Sequence, residues 1–132
     1  MKFTALAGRL LFSLIFLFSG LTLFSAASIG YAASQGVPLA GILVPVSGVL
    51  SVVGAVSIIL GYKARIGAAM MIVFLVPVTF VFHHFWTEAD PGARQMGMIE
   101  FMKNISMLGG AIIILVHGAG AYSLDSRAKT HP

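Results

Sequence analysis

The sequence predicts an all-α integral membrane protein, four transmembrane helices in a compact antiparallel bundle with the N and C termini cytoplasmic. Three observations predict it. Of the 132 residues, 58% are hydrophobic and only 9% charged, where soluble domains carry about a quarter charged residues. With mean hydropathy +0.99, the chain cannot cover itself with polar surface. The charges divide it into uncharged runs of span length, and Lys and Arg collect at alternate boundaries of those runs.

A helix crossing a bilayer needs about 20 mostly apolar residues. Leu10 to Tyr62 contains no charge and suits two spans. Tyr31-Ala-Ala-Ser-Gln-Gly-Val-Pro38 supplies the turn between them, small and polar with Gly36 and Pro38 at its end. Lys63 and Arg65 interrupt the hydrophobic sequence, and Ile66 to Thr87 forms a third uncharged run. Glu88 to Gln95 reads as a polar loop around the turn tripeptide Asp90-Pro91-Gly92, and Asn104 to Leu124 is the fourth run. The predicted helices cover about 5–31, 38–61, 65–87 and 97–120, a single four-helix membrane domain over 1–132 with a short polar tail at 121–132.

In this arrangement Lys2, Arg9, Lys63, Arg65, Arg127 and Lys129 all fall on one side, which the positive-inside rule assigns to the cytoplasm. An odd number of spans would scatter them over both faces. Residues 1–34 imitate a cleavable signal peptide, but the apolar run from Leu10 to Ile29 is longer than a signal core, so an uncleaved first helix is expected. Glycines along the spans, among them Gly8, Gly20, Gly41, Gly48, Gly54, Gly67 and Gly109, predict close helix packing. Pro45 and Pro77 should kink the second and third spans.

Several function classes are excluded. Zero cysteines remove disulfides, thiolate metal sites and CxxC redox centres. The net charge of +4 comes from scattered residues, so no nucleic-acid partner is expected. No phosphate loop, paired carboxylates or nucleophile–base arrangement appears, so the chain alone leans towards a non-enzymatic or only accessory role without excluding an enzyme. No metal site is expected. His83 and His84 are adjacent and diverge by about 100° on a helix, His117 lies about 21 Å deeper than Lys103, and His131 is in the tail.

His83-His84-Phe85-Trp86 at the end of the third span, Met98-Ile-Glu-Phe-Met-Lys-Asn-Ile-Ser106 at the start of the fourth and Gly118-Ala-Gly-Ala-Tyr-Ser-Leu-Asp125 after it form a distinctive order. Arg9 eleven residues before Gly20, and Gly61-Tyr-Lys-Ala-Arg65, add to it. Together they resemble the DoxX family of four-span bacterial inner-membrane proteins, in particular its YphA-type members. The resemblance implies a multi-pass protein of the bacterial inner membrane and a redox or quinone-linked setting. There the chain would act as an accessory subunit, with no cofactor of its own beyond a quinone. It also implies a Lys where this chain has Leu23 and a Glu where it has Ser51. Losing both together is what an ion pair would require. The alternatives are a small-molecule binding or permeation protein, or a structural subunit of a larger complex. The partners expected are the lipid bilayer and either further copies of the chain or a larger membrane complex.

Two clusters are candidate sites. At the outer side, Glu100 shares a helical face with Lys103 and Asn104, at i+3 and i+4. His83, on a stripe with Thr79, should turn towards them and contact at least one, with Trp86 beside it. The group is either a polar ligand pocket or an interfacial anchor at headgroup depth. At the inner side, Arg9 and Asp125 are expected to form a structural ion pair joining the first and fourth helices.

Overall fold

A computed structural model describes residues 1–129. It is all helical: α1 (Lys2–Thr22), α2 (Ala26–Ser34), α3 (Ala40–Leu60), α4 (Ala64–Phe82), a 3-10 turn (Phe85–Thr87), α5 (Pro91–His117) and α6 (Leu124–Ala128). Four helices are long and apolar enough to cross a membrane: α1, α3, α4 with the turn that follows it, and α5. The protein is therefore a multi-pass membrane protein, with α2 and α6 as short helices between and after the spans.

α1 packs along α3, α3 along α4, and α4 along α5. The core between them holds Phe16, Ala55, Ile58, Ala68, Met71, Phe74, Leu75 and Ala111. Lipid gives helices no hydrophobic reason to associate, so close backbone approach supplies the packing. A Cβ on Gly20 would lie 3.0 Å from the Cβ of Ser51, and one on Gly67 would lie 2.9 Å from the carbonyl oxygen of Gly54. Gly8, Gly41 and Gly109, also expected at helix contacts, face open space. α1 and α5 close the ring loosely, chiefly where the Phe12 ring lies against Gly110. This leaves a seam between them.

Boundaries differ from expectation at four places, one of them the end of α4 at Phe82, short of the predicted 87. The first predicted helix, 5–31, is broken after Thr22. The Ser25 hydroxyl caps α2 by accepting from the Ser28 amide at 3.2 Å, and the Ser25 and Ser28 hydroxyls each donate to the Thr22 carbonyl at 2.8 Å. Hydroxyls thus serve backbone groups that the break exposes. The fourth span starts at Pro91, not near 97, because Asp90 caps it: its Oδ2 accepts from the Ala93 amide at 2.8 Å. Proline at the first helical position loses no bond there. Part of the predicted polar tail is α6, opened by a capping box on Ser123.

Candidate functional site

At the outer end, the α1–α5 seam widens into a cavity of about 310 Å³ lined by residues of α1 to α5. Phe16, Phe74, Leu75, Val78 and Met107 make its apolar wall, and His83, Glu100, Lys103 and Asn104 its polar one. α4 ends at Phe82, so His83 is its C-cap, with its amide donating to the Thr79 carbonyl at 3.2 Å. One turn back, the buried Thr79 hydroxyl donates to the Leu75 carbonyl at 2.6 Å. His84 turns elsewhere, its Nδ1 2.7 Å from the Val81 carbonyl oxygen.

On α5, Glu100 and Lys103 form an ion pair, both side chains partly exposed. Asn104 is different in kind. It is only 4% exposed, it lines the cavity, and its side-chain amide has no hydrogen-bond partner among the described residues. His83 shares the cavity with these three groups, and no hydrogen bond or ion pair joins it to any of them. The reason is local: the helix stops one residue short of His83, and Lys103 already holds Glu100 on its own helix.

Trp86 does not belong to this group. It is 49% exposed and packs edge-on against Phe85 and Phe101, centroids 5.4 and 5.8 Å away, as an aromatic cap beside the cavity. Ser19, Thr22, Ser28, Tyr31 and Ser47 line the cavity as well and were missed in the sequence. A straight helix over 5–31 hid them, and the Thr22, Ser25, Ser28 spacing was the signal for the break.

The inner pair is also rearranged. Arg9 does point into the bundle and is buried, but Nη2 donates to the Tyr122 carbonyl at 2.7 Å. Asp125 instead accepts from the amides of Lys63 at 2.7 Å and Ala64 at 3.0 Å, and its own amide donates to the Gly61 carbonyl at 2.8 Å. No Arg9–Asp125 ion pair forms; the only ion pair among the described residues is Glu100–Lys103. The first amides of α4 would otherwise be unpaired at the positive end of a helix, where a carboxylate is the best acceptor. Arg9 Nε and Nη1 and the Ser13 hydroxyl have no partner among the described residues. No group of three His, Cys, Asp or Glu able to hold a metal ion occurs among the described residues, and His131 lies outside them.

Fold and cavity define a class: a small four-span helical membrane protein with a half-polar cavity opening at its outer end. The SURF4 family matches residues 1–131, and the chain belongs to that family. Among curated relatives, it is 31% identical to Inner membrane protein YphA of Escherichia coli over 124 residues, covering 92% of this chain and 88% of that one. It is 29% identical to Inner membrane protein YqjF of the same organism, covering 91% and 88%. The Surfeit locus protein 4 homolog of Schizosaccharomyces pombe is 29% identical over 96% of this chain, which spans only 38% of that longer protein. No solved structure matches significantly. The family match overturns the expected DoxX membership. With it goes the ground for a redox accessory role, and for reading Leu23 and Ser51 as a lost ion pair. Ser51 is instead a packing residue, fully buried against Gly20, with its hydroxyl donating to the Phe16 carbonyl at 2.8 Å.

Proposed function

We propose that this protein is a non-enzymatic, multi-pass protein of the bacterial inner membrane that binds a small amphiphile in its outer cavity. The amide of Asn104 carries the reading: it has no hydrogen-bond partner among the described residues and lines the cavity, so a ligand's polar head would bond it at the point where the cavity wall turns apolar. A volume of about 310 Å³ is at the small end of ligand pockets. Glu100 and Lys103 would orient the head, and Phe16 and Phe74 would cover the tail. The seam between α1 and α5 gives a path from the bilayer. The names of YphA and YqjF support the inner-membrane location. No resident cofactor enters this reading; a quinone is one of the amphiphiles the cavity could admit. The bilayer is the partner, and assembly with further copies or other chains is read from whatever co-purifies.

The test is mass spectrometry of small molecules retained by the protein purified in mild detergent. One amphiphile per chain is expected, with retention about tenfold weaker in Asn104→Leu, the cost of one buried hydrogen bond. A wild-type protein that emerges empty, or a folded Asn104→Leu variant that retains as much, defeats the reading and leaves the cluster as an interfacial anchor.

A further inference from the structure

The opposite end of the bundle carries a second cavity, of about 670 Å³, between the start of α4, the end of α5 and α6. Its cations come from two places in the chain, Lys63 and Arg65 at the start of α4 and Lys129 at the end of α6, and His117 at the end of α5 lies with them. Asp125, the one carboxylate lining it among the described residues, has both oxygens turned onto the amides of Lys63 and Ala64. It forms no ion pair with Lys63, Arg65 or Lys129. The wall opposite Arg65 is backbone: Gly118 and Gly120 both have positive φ, 77° and 73°, and a Cβ on Gly118 would lie 3.5 Å from Arg65 Nε. No side chain therefore stands between the guanidinium and that turn.

The depth of the cavity narrows the ligand. The Lys63 ammonium lies 5.6 Å from the centroid of the Tyr62 ring, and Tyr and Lys together mark headgroup level. Ile66 lines the same cavity and is exposed, as is Val116 one residue before His117, so apolar surface continues from it towards the membrane interior. Basic pockets between spanning helices on the cytoplasmic side hold lipid phosphates.

We propose that this inner cavity binds a phosphate group, with Arg65 as its bidentate donor and Lys63, Lys129 and His117 around it. An anionic lipid headgroup and free phosphate share this chemistry, and the experiment separates them. Full-length protein is delipidated and tested by native mass spectrometry and thermal shift against phosphatidylglycerol, phosphatidylcholine and inorganic phosphate. Phosphatidylglycerol should be retained over phosphatidylcholine. Arg65→Gln and Lys63→Gln should each weaken it about five-fold, the loss of about one basic contact at the surface. Lys2→Gln, an exposed charge at the same end but outside the cavity, should not. Stabilisation by inorganic phosphate that Arg65→Gln abolishes, without a lipid preference, assigns the site to the free anion. Equal retention of both lipids with no phosphate response overturns the proposal, as does an equal loss in Lys2→Gln. Asn104→Leu should leave this binding unchanged, so the two cavities fail or stand separately.

Discussion

Gly61 shows how much one residue can decide in this protein. It ends α3 in the left-handed region, φ 63°, and its missing side chain makes room for two neighbours. A Cβ there would lie 2.0 Å from Arg9 Nη1 and 2.4 Å from Ser123 Cβ. Both neighbours are buried, and Arg9 is bonded to Tyr122. Gly61→Ala should therefore destabilise by about 2 kcal/mol or more, combining backbone strain with the displaced guanidinium. Thermal unfolding in detergent checks this. Gly61→Asn separates the causes, since asparagine tolerates positive φ but has the same Cβ. A variant recovering most of the stability would mean that the backbone alone matters and Arg9 can move. At this scale the sequence was legible in part. Arg9, Gly61 and Asp125 all stood in the segments that looked distinctive, and Arg9 and Asp125 were expected to act at this end of the bundle. The partner exchange was not, because hydrophobic patterning cannot rank a guanidinium against two helix-end amides as the acceptor's choice.

At the level of elements, the four long helices were readable because uncharged runs of span length leave little alternative. Their ends were less so, and the errors share a cause. Asp90-Pro91-Gly92 has the composition of a turn, yet Asp followed by Pro is also a helix start, with the carboxylate as N-cap. α5 consequently begins six residues before the predicted 97, so that Gly97, beside Phe85, lies inside the helix and not at its start. Asp90→Ala should cost about 1 kcal/mol, read as faster amide hydrogen exchange over residues 92–94 with the core unaffected. Unchanged exchange there would show that Pro91 alone sets the start. The cavity was half legible for the same reason. A helical face on α5 follows from spacing, so Glu100, Lys103 and Asn104 were predicted together. The contribution of α1, α2 and α3 depends on the break after Thr22, which three hydroxyls hold and apolar patterning passes over.

For the whole molecule, the two ends differ in chemistry, and that difference predicts an orientation. α1 starts and α5 ends at one end, where Phe3 and Tyr122 stack with centroids 4.6 Å apart, so the start of α1 meets the segment that follows α5. Lys2, Arg9, Lys63, Arg65, Arg127 and Lys129 belong to that end, while Glu88, Asp90, Arg94 and the Glu100–Lys103 pair belong to the other. Insertion retains the Lys- and Arg-rich segments flanking spans in the cytoplasm and is nearly indifferent to acidic residues, so the comparison is six cations against two. Reporter fusions at Gln35 and Gly92 should therefore give periplasmic signals, and fusions after Lys63 and Lys129 cytoplasmic ones. Replacing Lys63 and Arg65 together by Gln removes the only cations between the second and third spans. The termini still carry Lys2, Arg9, Arg127 and Lys129, so most molecules should keep their orientation with a minority inverted. A periplasmic signal after Lys63 in the unmodified protein would invert the molecule. The amphiphile cavity would then open to the cytoplasmic leaflet and the basic cavity to the periplasmic one.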